Sequence, residues 1–228
     1  MQAFNYRNVV LTGLIGILAA TMVGVGEGFL HFSDSGNYAD DGRYEYLLEV
    51  PGWRLTWGHF LAVFGTPLYL VGFWHIYLGT RPFGTRLPFA TFLLAAYGFI
   101  MGAVWISSRV SIALLVQANR EAGGDDAALL ALIQHYIANY ESLLWVIRVT
   151  TGLTSLAFIG MVLSNRTLYP RWMAIFNPIV LLISAFVLFV VAPDVGKYTL
   201  PIALNAGYFV FFVLSTIVLS RVCEAEAS

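Results

Sequence analysis

Six apolar stretches constrain the fold of this chain more than any other feature of its sequence. They cover roughly residues 8–30, 56–78, 88–112, 143–163, 172–192 and 200–220. A helix needs about 20 mostly apolar residues to cross the hydrocarbon core of a bilayer, and within lipid it satisfies all of its own backbone hydrogen bonds. The sequence therefore predicts an all-α integral membrane bundle of six transmembrane helices, in one domain over residues 1–228.

The scarcity of charge excludes other classes of protein. Charged residues make up 11% of the chain, against about 25% in soluble domains, so a water-facing surface cannot be built. The mean hydropathy of +0.76 excludes a disordered chain. The net charge of -1 offers no basic excess for phosphates and argues against nucleic acid as a partner. Cys223 is the only cysteine, which excludes an internal disulfide and a Cys-rich metal site.

The basic residues of the loops predict the orientation, because cytoplasmic loops of membrane proteins carry an excess of Lys and Arg. With the N-terminus in the cytoplasm, six basic residues lie on the inner side and four on the outer side. The inner six are Arg7, Arg81, Arg86, Arg166, Arg171 and Arg221, and the outer four are Arg43, Arg54, Arg120 and Lys197. We therefore expect a multi-pass protein with both termini in the cytoplasm.

The segment between the third and fourth stretches, residues 113–142, predicts an external helical hairpin. Gly123 and Gly124 break the helix, and Asp125 or Asp126 can cap the helix that follows. Both stretches then extend outward by about 15–20 Å at 1.5 Å per residue. The alternative is an amphipathic segment on the membrane surface. We expect the acidic, Tyr-rich residues 32–55 to cover the same end of the bundle.

A few ionisable and polar residues interrupt the apolar stretches, and an ionisable group at membrane depth marks a functional site by default. Counting along each helix places most of them at one height in the outer leaflet, where they form an outward-facing pocket. The predicted catalytic residues are Glu27, His31, His59 and Glu141, and the predicted substrate-binding residues are Trp105, Arg109, Trp145, Arg148 and Asn205. The structural alternative is an ion pair of Glu27 with one of the two arginines.

Two functions use this set without a cofactor. The first is an acid/base enzyme for a lipid or isoprenoid-like apolar substrate, such as an isomerase, cyclase or hydrolase. Glu27 would exchange a proton with His31 or His59, and Arg109 and Arg148 would hold an anionic head group or a developing oxyanion. The second is a non-catalytic or transport-associated protein, in which the same arginines bind an anionic amphipathic small molecule among the membrane lipids. The oligomeric state stays open.

A third function is a metal or haem b site. Glu27, His31, His59 and Glu141 offer nitrogen and oxygen ligands to a metal, and His31 with His59 would ligate a haem from facing helices. The spacing of these residues is not specific for either group. The sequence therefore predicts no cofactor, with Glu27, His31 and His59 as the speculative metal ligands.

Three short stretches, residues 11–16, 72–77 and 169–178, resemble an uncharacterised family of small bacterial polytopic membrane proteins. The resemblance implies the bacterial inner, or cytoplasmic, membrane and carries no known activity. It also raises a competing site at the inner face around Trp74, His75 and Asn177, which we rank below the outer pocket.

Overall fold

The computed structural model describes residues 6–33 and 44–227, and the side chains among them up to residue 225. Within these ranges the chain is helical and contains no strand. The helices are α1 (Tyr6–His31), α2 (Gly52–Gly65), α3 (Leu68–Thr80), α4 (Arg86–Glu121), α5 (Ala127–Leu163), α6 (Pro178–Val191), α7 (Pro193–Thr199) and α8 (Ala203–Ala227). The predicted all-α class is confirmed.

Five segments of the described chain are long and apolar enough to cross a membrane: Tyr6–His31, Gly52–Phe83, Arg86–Glu121, Ala127–Leu163 and Pro193–Ala225. The remaining apolar helix, α6, has 14 residues. At 1.5 Å per residue it is about 21 Å long, which is shorter than the roughly 30 Å hydrocarbon core. The architecture therefore suits a membrane-embedded protein, while the full six-span topology stays a prediction.

Prolines and one cap shift the predicted helix boundaries. Pro67 lacks a backbone N–H, and the second stretch divides there into α2 and α3. The fifth stretch begins with a 3₁₀ helix, Arg171–Ala174, and its α-helix starts only at Pro178. Asn177 caps this α-helix by accepting a hydrogen bond from the backbone N–H of Ile179 at 3.1 Å. The last segment begins earlier than expected, at Pro193, with α7 and a short 3₁₀ helix preceding α8.

Helix α1 packs against α2, α3 and α8 through small residues. A Cβ atom added to Gly26 would lie 2.7 Å from the carbonyl oxygen of Gly58 on α2, and one added to Gly16 would lie 3.0 Å from the Cα atom of Gly72 on α3. Helix backbones therefore touch here, as close packing in a membrane requires. A Cβ atom added to Gly24 would lie 3.2 Å from the Cβ atom of Asn205 on α8.

Helices α4 and α5 pack along each other and are joined by a turn at Gly123 and Gly124, whose φ angles are positive. Asp126 caps α5 by accepting hydrogen bonds from the backbone N–H groups of Ala128 and Leu129, both at 3.0 Å. With 36 and 37 residues, the two helices are about 54 and 56 Å long. Their length exceeds a bilayer core, but their projection on the outer side stays a prediction.

The segment before α2 docks on α4. Its 3₁₀ helix Glu45–Glu49 is held by Gln117, whose side-chain N–H groups donate to the carbonyl oxygens of Leu47 and Val50, each at 2.9 Å. The predicted covering role of the acidic loop rests partly on Asp34, Tyr38, Asp40, Asp41 and Arg43, which lie outside the described residues.

Candidate functional site

A cavity of about 850 Å³ lies between α1, α4, α5, α6 and α8, within the range of about 300–1,000 Å³ usual for small-molecule sites. The cavity forms where the C-terminal half of α1 and the N-terminal half of α8 meet the middle parts of α4 and α5. Seven of the nine predicted site residues line it, namely Glu27, His31, Trp105, Arg109, Glu141, Arg148 and Asn205. Much of the remaining wall is apolar and belongs to α4, α5 and α6.

Arg109 is buried in the wall, with 1% of its side chain exposed, and forms an ion pair with Glu141. Its Nη1 donates to Glu141 Oε1 at 2.8 Å, and its Nη2 donates to Ser108 Oγ at 3.0 Å. The guanidinium also lies 4.6 Å from the centre of the Trp105 ring. Each guanidinium nitrogen of this arginine therefore donates at least one hydrogen bond, and one carboxylate neutralises its charge.

Tyr44 completes this ion pair from the segment before α2. Its hydroxyl donates to Glu141 Oε1 at 2.5 Å and accepts a hydrogen bond from Arg109 Nη1 at 3.3 Å. Partial burial, followed by the hydrogen bond to Glu141, raises the pKa of the Tyr44 hydroxyl. The group is therefore protonated at neutral pH and ties the segment before α2 to α4 and α5.

Glu27 is held by an amide rather than by an arginine. Asn205 Nδ2 donates to Glu27 Oε2 at 2.5 Å, and the hydroxyl of Tyr69 donates to Asn205 Oδ1 at 2.5 Å. Tyr69 and Asn205 are both buried. The two hydrogen bonds fix which way the amide points and connect α3, α8 and α1. Within the described residues Glu27 forms no ion pair, so the structural alternative of a pair with Arg109 or Arg148 is not what the geometry gives.

Arg148 is an exposed residue that borders the cavity, and no acid neutralises its guanidinium in the part of the chain that the structure describes. Its guanidinium carbon lies 5.1 Å from the centre of the Trp145 ring, a cation–π contact. Trp145 itself is 65% exposed and does not line the cavity. Of the two arginines at the site, Arg148 is therefore the one whose charge is available to a ligand.

Trp105 carries a second available donor. Its side chain is 7% exposed and lines the cavity, and its Nε1 has no hydrogen-bond partner among the described residues. A buried donor without a partner costs about 1–3 kcal/mol. The indole ring stacks on the imidazole of His31 with the ring centres 5.8 Å apart, so packing positions the donor beside the polar end of the cavity.

His59 does not line the cavity. Gly58 and Ala62 face α1 on α2, and the next residue along a helix points about 100° away. The side chain of His59 lies against Phe60 instead. The speculative metal ligands Glu27, His31 and His59 therefore do not share one cavity, nor do the two histidines considered for haem. Among the described residues, no group of three or more His, Cys, Asp or Glu side chains is arranged to hold a metal ion.

Several residues that line the cavity, or that hold a lining residue, are not among the predicted site residues. Thr150, Thr151 and Thr154 line the wall on α5, and the hydroxyls of Thr150 and Thr154 return hydrogen bonds to their own helix. Tyr69 holds Asn205 from below and stacks on Phe99, with ring centres 3.9 Å apart. The sequence does place Tyr69 within an apolar stretch, and this position could have indicated a polar contact, because a buried tyrosine hydroxyl usually has a hydrogen-bond partner.

The competing inner-face residues have structural roles. His75 is fully buried, with its Nδ1 3.3 Å from Thr12 Oγ1 and its Nε2 2.9 Å from Ser215 Oγ. The hydroxyl of Tyr169 lies 2.8 Å from the same Ser215 oxygen. This network joins α1, α3, α8 and the segment after α5. Both ring nitrogens of His75 are engaged, so the network stabilises the bundle and leaves no side-chain atom of this histidine for a ligand.

Trp74 and Asn177 take no part in the hydrogen bonds around His75 and make separate contacts elsewhere. Asn177 is the cap of α6 and also donates from Nδ2 to the carbonyl oxygen of Ala174 at 2.6 Å. Trp74 is partly exposed and packs on Tyr77 with ring centres 4.8 Å apart. The residues ranked as a competing site therefore lie in separate structural contacts.

Comparison with known proteins gives a family and no activity. A family model described as a family of unknown function (DUF6796) matches residues 4–222. The chain belongs to this family. No curated protein and no solved structure matches it. The predicted membership of an uncharacterised family is confirmed, and the cavity has to be interpreted from its own residues.

Proposed function

We propose that this protein binds a lipophilic molecule with a polar head group in the cavity between α1, α4, α5, α6 and α8. The observation that carries the proposal is the division of one cavity into a polar end and an apolar body. Glu27, Arg148 and the Arg109–Glu141 pair stand at the polar end, and apolar residues such as Phe186 line the body. Sites for small molecules combine an apolar wall with a few placed polar groups in this way.

The surroundings that we propose are the bacterial inner membrane, crossed six times, with both termini in the cytoplasm. The bias of basic residues in the loops supports this orientation. The polar end of the cavity then faces outward, and α4 and α5 extend beyond the bilayer as a hairpin over residues 113–142. Reporter fusions after residues 33, 84 and 123 test it, and a cytoplasmic signal at residue 123 would reverse the orientation.

A pair of glycine substitutions tests binding. Gly102 lines the cavity, and a Cβ atom added there would meet only Ile147, at 3.9 Å. Gly160, on α5, is exposed and has nothing within 4 Å of an added Cβ. Gly102→Phe should therefore fill the cavity, whereas Gly160→Phe places the same ring outside it.

The assay is the binding of a fluorescent fatty acid to the protein purified in detergent, with bound lipids identified by mass spectrometry of the extracted protein. We expect wild type and Gly160→Phe to bind the probe and Gly102→Phe to lose most of the binding. Equal binding by Gly102→Phe, with the same unfolding temperature as wild type, would show that the cavity is not the site.

Acid/base chemistry by Glu27 on the bound molecule is the second candidate function. The hydrogen-bonded sequence Tyr69–Asn205–Glu27 favours it, because it positions a carboxyl beside the cavity and occupies only Oε2 within the described residues. Positioned carboxyls transfer protons to and from substrates. The lipid profile of cells producing wild type should then differ from that of cells producing Glu27→Gln. Identical profiles, with equal amounts of both proteins in the membrane, would exclude this chemistry.

A further inference from the structure

The polar groups at the polar end of the cavity differ in whether they have partners within the protein. One oxygen of each carboxylate is engaged, since Glu141 Oε1 accepts from Arg109 and Tyr44, and Glu27 Oε2 accepts from Asn205. Each guanidinium nitrogen of Arg109 also donates at least one hydrogen bond. Two hydrogen-bond donors, by contrast, have no acceptor at all among the described residues.

Two donors remain for a ligand. The guanidinium of Arg148 has no acid and no hydrogen-bond acceptor within the described ranges, and the Nε1 of Trp105 is buried without a partner. One is a permanent positive charge and the other is a neutral N–H. Their complement is a group that offers several oxygen acceptors and a negative charge, as phosphates and carboxylates do.

The apolar body of the cavity continues to the surface of the bundle. Ile183 and Phe186 line the cavity and are also more than half exposed. They belong to α6, which packs mainly on α7 and α8 and touches α5 at few points. A hydrocarbon chain in the cavity can therefore extend between α5 and α6 toward the surrounding lipid.

We infer that the molecule bound in the cavity is an amphiphile with an anionic head group, a phosphate or a carboxylate, which binds Arg148 and accepts a hydrogen bond from Trp105 Nε1. This inference rests on the proposed binding function and adds the chemistry of the head group. Arg109 positions the Trp105 ring and Glu141, and does not itself hold the ligand, because Glu141 already neutralises its charge.

Four probes test the inference by displacement of the fluorescent fatty acid from the full protein: dodecyl phosphate, dodecanoate, dodecanol and inorganic phosphate. We expect dodecyl phosphate or dodecanoate to displace the probe at concentrations at least about 10-fold lower than dodecanol, which is the size of one charge-assisted contact. The more potent of the two identifies the head group. Inorganic phosphate should be much weaker than either.

The variants are Arg148→Gln, Arg148→Lys and Trp105→Phe, with Arg166→Gln as the matched control. Arg166 also lies over an aromatic ring, 5.1 Å from the centre of Phe83, but away from the cavity. Arg148→Gln should remove the preference for anions, while Arg148→Lys and Arg166→Gln retain it. Trp105→Phe keeps the ring and loses the N–H, and should weaken anion binding several-fold.

The outcomes distinguish a failure of this inference from a failure of the proposed binding function. If dodecanol displaces the probe as well as the anions do, or if Arg148→Gln keeps the anion preference, the head group is not anionic and the binding function stands. If inorganic phosphate displaces the probe as well as dodecyl phosphate does, the hydrocarbon chain contributes nothing to binding, and the inference that the ligand is an amphiphile is wrong. Unchanged binding in Trp105→Phe would overturn the assigned head-group contact. If no lipophilic probe binds wild type, the proposed function fails first.

Discussion

The substitution Glu141→Gln tests the role of the buried charge pair most directly. Glutamine keeps the size of the side chain and can still accept from Tyr44, but the negative charge is lost. Arg109, with 1% exposed, is then left with an uncompensated charge. Removing one member of a buried pair costs about 3–5 kcal/mol. Because Glu141 is 31% exposed and solvent screens part of the attraction, we expect the low end, about 3 kcal/mol.

The opposite substitution should cost less, because the two members of the pair differ in burial. In Arg109→Met the stranded carboxylate of Glu141 can be reached by water and keeps the hydrogen bond from Tyr44. The double variant strands no charge at all. We therefore expect Arg109→Met with Glu141→Gln to be more stable than Glu141→Gln alone, the non-additivity that a direct interaction produces.

The assay is reversible unfolding of the purified protein by sodium dodecyl sulfate in mixed micelles, followed by circular dichroism. A loss of about 3 kcal/mol corresponds to a change of roughly 100-fold in the unfolding constant. If the free energy of unfolding of Glu141→Gln lies within about 0.5 kcal/mol of that of wild type, the buried charge of Arg109 does not need Glu141 for its compensation. A double variant equal to the sum of the two single variants would refute the coupling.

Three further expectations concern the stability of the fold, and the first and third use the same unfolding assay. Arg54 donates to carbonyl oxygens at the C-terminal end of α1, so Arg54→Ala should destabilise the fold by about 1–3 kcal/mol; a change below about 0.5 kcal/mol would mean that water replaces it. Gly26→Leu should prevent folding, because its Cβ would lie 2.7 Å from backbone atoms of α2, whereas Gly160→Leu should elute from gel filtration as wild type does; similar yields of both would contradict the close packing. The raised pKa of Tyr44 favours its neutral form in the folded protein, so its stabilisation is present below the unfolded value of about 10 and is lost as the pH rises through the higher folded value. Tyr44→Phe should therefore flatten the fall in stability above about pH 10, and an unchanged slope would show that Tyr44 does not contribute to it.

The sequence allowed the height of the site residues to be predicted but not their direction. Each helix advances about 1.5 Å per residue, so counting was enough to put Glu27, Arg109 and Arg148 at one level. Direction depends on how each helix is rotated about its axis. His59 shows the consequence, since the glycine beside it turns toward α1 and the imidazole turns aside.

The partners of the polar side chains also lay beyond the sequence. Pairing Arg109 with Glu141 rather than with Glu27 depends on the register of α4 against α5. Tyr69 reaches Asn205 only because α3 and α8 both pack on α1. Such contacts join residues far apart in the chain, and no local pattern encodes them.

Apolar length and scarce charge determined by themselves that this chain is helical and suited to a membrane, because lipid admits few backbone structures and few charges. The same scarcity singled out the polar residues around the cavity. Only the tertiary structure decided which of them are engaged. Arg109 is neutralised by Glu141 and Glu27 is held by Asn205, whereas Arg148 is left open to a ligand, because interhelical packing alone sets which donors meet acceptors.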